Sequence, residues 1–390
     1  MRGLWVWLAV ALLCSSAYAQ GGDPAPGPAP APDPGGAPAP APDAAGGPAP
    51  DAAGGPAPEA AGAPAPDAAG APAPPTGQGD APKPFDPDAP PPSGWRFMLS
   101  DLSILRINPI GLETRARFGF QKRLYYSEKA VTKQNFAFAG LYPKLNPASA
   151  SVALGGELQP ASVFNLRVFG EFQQFFGTFG FLQSYTSADA NFSDQRAKDL
   201  IDDPVLKPQA TKLYHLSIQP LLQAKAGPIA IRALFQLDYW ALDIRDGDVT
   251  AYEPTFDTLL PDNGWTLQTD TDVLYTGKKG LAIGLRHTFV KPFYKAKHFT
   301  DQAAFDAYDN QNNHHRIGLF GAYTLRDTGP SRFNKPTFVL ILSWYLSHKY
   351  RTGTPDTLDP GHTADDYVSR AVPYVIAGFA FESDFMAVRP

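Results

Sequence analysis

The chain has 390 residues, of which 18% are charged and 12% aromatic, and a formal net charge of −5. The acidity is concentrated at the front, where residues 21–94 hold nine acids against the single base Lys83, and no basic stripe elsewhere marks a nucleic-acid partner. The only cysteine is Cys14, which excludes an internal disulfide and, in a chain freed of its leader, thiolate metal sites and cysteine nucleophiles.

The opening stretch, "MRGLWVWLAVALLCSSAYAQ", carries Arg2, then an apolar run from Leu4 to Leu13, then Ala17-Tyr18-Ala19. A small-x-small site after a run too short to span as a helix predicts a signal peptide, residues 1–19, cleaved after Ala19. Residues 20–94 are almost wholly Pro, Ala, Gly and Asp, with a repeat that places acids at Asp43, Asp51, Glu59 and Asp67. Proline denies such a segment helix and ladder, and the spaced acids keep it solvated, so it predicts a disordered acidic linker. As a tether it suits a cell-wall or periplasmic partner. Residues 95–109, "WRFMLSDLSILRINP", read as a periplasmic lead-in, a lumen plug, or half of an extra strand pair.

From residue 110 the signal has period two, and no apolar stretch approaches the ~20 residues of a membrane helix. Ten strands are predicted. The first, 110–122, sets Leu112, Thr114, Ala116, Phe118 and Phe120 against Glu113, Arg115, Arg117 and Gln121. The second spans about 149–159. The third, 162–176, is the clearest, with Phe164, Leu166, Val168, Gly170 and Phe172 on one parity and Asn165, Arg167, Glu171 and Gln173 on the other. Strands over 211–224, 228–242, 265–276 and 280–291 alternate likewise, their polar parities carrying His215, Arg232, Asp238, Asp270, Asp272 and Arg286. The eighth, 314–326, opposes Ile317, Leu319 and Tyr323 to Arg316, Thr324 and Arg326; 336–349 follows, and 367–381 is apolar on both parities.

Long and short connections alternate along this series, as in an up-and-down barrel with both termini on the side of the short turns. Strands of 12 to 15 residues exceed the ~5 to 6 usual in soluble sheets. Aromatics stand where an interfacial girdle belongs, at Tyr125, Tyr126, Phe175, Phe176, Tyr239, Trp240, Trp265, Phe293, Tyr294 and Tyr350. Residues 110–390 therefore predict an all-β, antiparallel transmembrane β-barrel of about ten strands, or twelve if residues 95–109 contribute.

In this pattern the chain resembles bacterial outer-membrane β-barrel proteins, porin-like as a class and without a single family. The resemblance implies an outer-membrane address, lipid around the wall and the barrel-assembly machinery as a partner. One departure stands at the end, where Phe379, Phe381 and Phe385 are followed by "MAVRP" instead of a terminal aromatic.

The inward parities supply the candidate site: Arg115, Arg117, Arg167, Arg232, Arg286, Arg316 and Arg326 with Glu171, Asp238, Asp270 and Asp272 as lumen or constriction residues. Guanidinium forks pair with carboxylates across a narrow interior, giving either a packed ion-pair network or a passage selective for small polar or anionic solutes. Enzymatic signals are thin. Asp202-Asp203, His314-His315 and Asp365-Asp366 beside His362 resemble the rim residues of omptin-type proteases in residue type alone, and His314, His315 and Asp309 have no metal-fixing spacing. No cofactor, metal or catalytic residue is predicted. A structural or adhesive barrel whose long loops bind an external partner is the competing expectation.

Overall fold

The computed structural model describes residues 90–277, 280–352 and 372–386. The predicted signal peptide, nearly all of the linker, the group at His362, Asp365 and Asp366, and residues 387–390 lie outside the described residues. The chain forms a closed antiparallel barrel of twelve strands. In chain order the wall is β1 (Arg96–Ile107), β2 (Gly111–Lys122), β3 (Phe136–Asn146), β4 (Ser149–Ala161), β5 (Phe164–Phe176), β7 (Ala210–Ala226), β8 (Ile229–Leu242), β11 (Gly264–Thr276), β12 (Leu281–Phe293), β13 (His314–Thr324), β14 (Asn334–Ser347) and β15 (Tyr374–Asp384). Each pairs with the next, and β1 closes the circle against β15 from Met98↔Asp384 to Ile107↔Val375. Three short strands, β6 (Gln183–Tyr185), β9 (Thr250–Glu253) and β10 (Thr258–Pro261), form a separate sheet in the order β10-β9-β6.

All ten predicted strands are present, and an extra pair, β1 and β3, makes the twelve of the alternative expectation. Residues 95–109 are neither lead-in nor plug: they supply β1, and its partner in the count is β3, inside what the sequence reads as a long loop. Both are apolar on two parities. β1 points Met98 and Ile104 inward and Leu105 and Ile107 outward, while β3 is interrupted by Gly140 and Pro143 and buries Phe138. The tenth strand starts at Tyr374, later than predicted, and its parity is fixed by pairing with β14, which turns Tyr374 and Ile376 inward beside Ser343 and Ile341.

Inserting β1 reverses the direction of β2, so the strict alternation of long and short connections fails. At the end away from the termini, long segments 177–209, 243–263, 294–313 and 348–373 share the rim with the tight turns 108–110 and 147–148. Segment 123–135 joins the termini end, taking Tyr125 and Tyr126 with it. The girdle is corrected in a second respect. Phe176 and Phe293 face outward, whereas Phe175, Trp240 and Tyr350 are buried inside.

The predicted parities hold. In β5, Val168 and Phe172 are exposed while Asn165, Glu171 and Gln173 are buried; in β12 to β14, Leu285, Ile317, Leu340 and Trp344 line the outside. In hydrocarbon every backbone donor and acceptor needs a partner within the protein, and a closed ladder provides it. Two glycines mark where neighbouring backbones crowd. A Cβ on Gly284 would stand 1.9 Å from the Val273 carbonyl oxygen of β11, and one on Gly318 1.9 Å from that of Leu342 on β14. Gly284→Ala must push β12 off β11, at an expected cost of about 1–3 kcal/mol. A lowered temperature of conversion from folded to unfolded mobility on a denaturing gel checks it.

Candidate functional site: the charged lumen and its cap

Period-two alternation delivers the polar parity of every strand to one interior, and cross-strand register then decides which charges meet. Three groups result. On β2 to β5, Glu157 receives Arg117 Nε at 2.7 Å and Arg167 Nε at 2.9 Å, with the Tyr142 hydroxyl donating at 3.2 Å. The Arg117 guanidinium also lies 3.5 Å from the Phe138 ring centroid. On β3 to β8, Lys144 Nζ stands 2.8 Å from Glu171, and His215 is held between Asp238 at 2.8 Å and Glu171 at 3.7 Å. On β8 to β12, Asp272 lies directly opposite both Arg232 and Arg286 in the ladder. It accepts from Arg286 Nε at 2.7 Å and Nη2 at 2.9 Å, and Arg232 Nη1 approaches to 3.8 Å. Asp270 completes this group, 3.8 Å from Arg286 and accepting the Thr288 hydroxyl at 2.5 Å.

Arg115 pairs with Glu113 on its own strand. Arg316 is buried and, among the described residues, has no ion-pair carboxylate: its guanidinium lies 3.9 Å from the Tyr374 ring centroid, and Nε and Nη1 have no hydrogen-bond partner there. Arg326 does not belong to the lumen. β13 ends at Thr324, and Arg326 lies beyond it, exposed, 5.6 Å from the Phe333 ring. Lys144 and Glu157 escaped the sequence reading because their strands were missed or weakly patterned.

The direction of these pairs differs from the expectation of bridges across the interior. Every ion pair found in the lumen lies within one strand or joins strands that are adjacent or one apart, and among the described residues none spans to the opposite wall. The charges hug the wall. Toward the termini end a cavity of about 630 Å³ is bounded by Arg96, Arg117, Glu157, Arg167, Lys335 and Glu382, with Pro90 to Pro92 at its edge.

The opposite end is closed. Segment 177–209 carries β6 and α1 (Asp194–Ile201), whose first turn is capped by the Ser193 hydroxyl accepting from Arg196 N–H. It packs on the β9–β10 hairpin of segment 243–263. Leu182, Ala251, Phe256 and Leu260 meet the inward wall residues Phe175, Leu213, Trp240 and Val290 in one core, and Tyr185, Phe192, Leu200, Tyr252, Leu259 and Tyr350 form another. Within "TFGFLQSYTSADANF", residues 178–192, Leu182, Tyr185 and Phe192 are thus buried in the cap. Trp240 separates this apolar cap from the ionic lumen, since its lower face stacks on His215 at 4.0 Å and 6°.

The hairpin tip, Phe256-Asp257, is grasped from several sides of the wall. Phe256 meets Trp240 of β8 at 5.6 Å, and its carbonyl lies 2.6 Å from His314 Nε2 of β13. Asp257, 1% exposed, accepts from Tyr345 of β14 at 2.6 Å, from Tyr252 at 2.8 Å and from Arg351 Nε at 2.6 Å. Arg351 in turn donates to Asn108 in the β1–β2 turn at 2.9 Å and pairs with Asp194 at 3.0 Å. Burial alone would raise the Asp257 carboxyl, but the Arg351 guanidinium and then His348 override it and hold it well below the usual carboxylate range.

The described rim residues of the protease-like expectation are not brought together. His314 turns inward and His315 outward, Asp203 caps the Val205 and Leu206 N–H groups, and no group of three metal-ligating side chains occurs among the described residues.

No family model matches the chain, and no curated protein does either. Among solved structures the chain is similar to the NanC porin (8% identity, covering 74% of this chain and 100% of that one, TM-score 0.34). Similar overlaps are found with the KdgM porin (8%, 74% and 99%, 0.31) and the translocator domain of the autotransporter NalP from Neisseria meningitidis (9%, 75% and 88%, 0.33). These superpositions are loose, and the barrel is defined by its own hydrogen-bonded ladder.

Proposed function

We propose that the protein is an outer-membrane barrel whose wall-lined polar lumen passes small polar solutes, anions in preference, with the cap at the loop end as its gate. The observation that carries this reading is the lateral pairing of the lumen charges. A barrel filled for stability alone gains most by bridging its walls, whereas pairs laid along the wall leave the axis to water and keep fixed charge beside it. Anion preference follows from the positive surplus of that lining, in which, among the described residues, Arg316 has no ion-pair carboxylate and Arg232 Nε has no partner. The continuous outward apolar parity supports the membrane address, and the leader then belongs on the termini side, the periplasmic face, where a wall or periplasmic partner is within its reach.

Planar-bilayer recording tests the passage. The full-length barrel is expected to give small ohmic steps whose reversal potential in a salt gradient lies toward that of the anion. Neutralising Arg117, Arg167 and Arg286 to glutamine leaves Glu157 and Asp270 uncovered and Asp272 with Arg232 alone, so the reversal potential should cross toward the cation. Silence from a heat-modifiable barrel whose cap has been released by Asp257→Ala sinks the reading.

A second reading has one observation in its favour. The cap holds its own apolar core around Phe192, Tyr252 and Leu259, more structure than a passive lid requires, which suits a surface presented to an external partner.

A further inference from the structure

Lys212 and Lys291 stand on the outward parity near the strand ends; in the middle of the lipid-facing wall ionisable side chains occur at two places, and their chemistries complement each other. The first is on β1 and β2. Asp101 shares its parity with the exposed Leu105 and Ile107, so its carboxylate emerges on the outer face halfway along β1. There it accepts from the Ser103 hydroxyl at 3.2 Å and the Thr114 hydroxyl at 3.2 Å. The second is on β11 to β13. His287 shares its parity with the exposed Ile283 and Leu285, lies at the midpoint of β12, and stands opposite Thr271 of β11. Its Nε2 is 3.2 Å from His315 Nδ1 of the neighbouring strand.

Acyl chains give a carboxylate nothing to bond, and its two hydroxyl donors leave acceptor sites unused. The histidine pair has the matching surplus. Whichever neutral ring accepts in the His287–His315 bond carries its proton on its other nitrogen, so one N–H remains to be given outward. We infer that the acidic patch of one copy docks on the histidine patch of a second copy of this chain within the membrane. The two patches are separated on the barrel by β14 and β15, so the contact is head to tail and propagates into a ring or a chain of barrels.

Leucine at either patch suits lipid better than the native residue, so Asp101→Leu and His287→Leu barrels should fold and keep their heat-modifiable mobility. Masses are measured on the full-length protein in lipid nanodiscs or mild detergent. The wild-type protein is expected to run as assemblies larger than one barrel, and each leucine variant as a single barrel. An equimolar mixture of the two variants keeps one intact patch of each kind and should form dimers and nothing larger. A monomeric wild-type protein overturns the inference. So does assembly that persists in both variants, and so does a mixture that stays monomeric, since a self-complementary contact or an unrelated surface would then be responsible.

Discussion

Replacing Asp257 by alanine is expected to release the cap and raise conductance severalfold, the largest functional change available from one side chain. The carboxylate is the hub on which Tyr252, Tyr345, His348 and Arg351 converge, and the Arg351 side chain is itself 2% exposed. Removing one member of a buried pair strands the other, at a cost of about 3–5 kcal/mol. Asp194 still faces Arg351 at 3.0 Å, which places the loss toward the lower figure. That free energy is drawn from the cap and not from the wall, because the hairpin tip touches the barrel through side chains while the strand ladder is untouched. Larger single-channel steps and faster tryptic cleavage within 243–263, with unchanged heat-modifiability, check it. Acid should imitate the substitution. The Asp257 carboxyl is depressed in the folded cap, so its contribution is complete above the ordinary carboxylate pKa of ~4 and is lost as pH falls through the lower folded value. The wild-type cap is therefore expected to stay closed at pH 5 and to open under strong acid, and Asp257→Asn to be open at both.

How far such behaviour is legible in the sequence depends on the range of the interaction. Alternation in β5 or β8 is a local property of one strand and declares both the fold and which residues face the lumen, so Arg167, Asp238 and Arg286 were identifiable from spacing alone. β1 and β3 were not, since residues such as Phe138 and Ile104 put apolar side chains inward where neighbours from other strands cover them. Which charges pair is a matter of register, and no single strand encodes register: Asp272 meets both Arg232 and Arg286 only because β8, β11 and β12 align at that level. The cap was the least visible. Asp257 sits in an ordinary-looking turn, "EPTFDT", and its role arises from β14, segment 348–352 and the β1–β2 turn, all far away in the chain.

Asp272→Ala is expected to have the second largest effect, this time on the wall and on selectivity together. Asp272 is 1% exposed and answers two guanidiniums. Its removal leaves Arg286 with Asp270 at 3.8 Å and Arg232, among the described residues, with no ion-pair contact and only the more distant field of Asp270. Lumen water reaches Arg232, whose side chain is 35% exposed, so screening holds the loss to about 3 kcal/mol, the low end for a buried pair. Urea unfolding in detergent measures that loss, and the reversal potential in a salt gradient should move further toward the anion. Stability and selectivity separate in a second variant. Replacing Arg232, Asp270, Asp272 and Arg286 together by Met, Asn, Leu and Met removes every charge of the cluster at similar volume and keeps an acceptor for the Thr288 hydroxyl, and such swaps of buried ion groups for uncharged ones are commonly neutral or stabilising. The fourfold variant is expected to match or exceed the wild type in urea while losing anion preference and conductance. A charged cluster that a membrane barrel keeps at no gain in stability has its use in the lumen, and equal conductance from the uncharged variant is the result that would deny it.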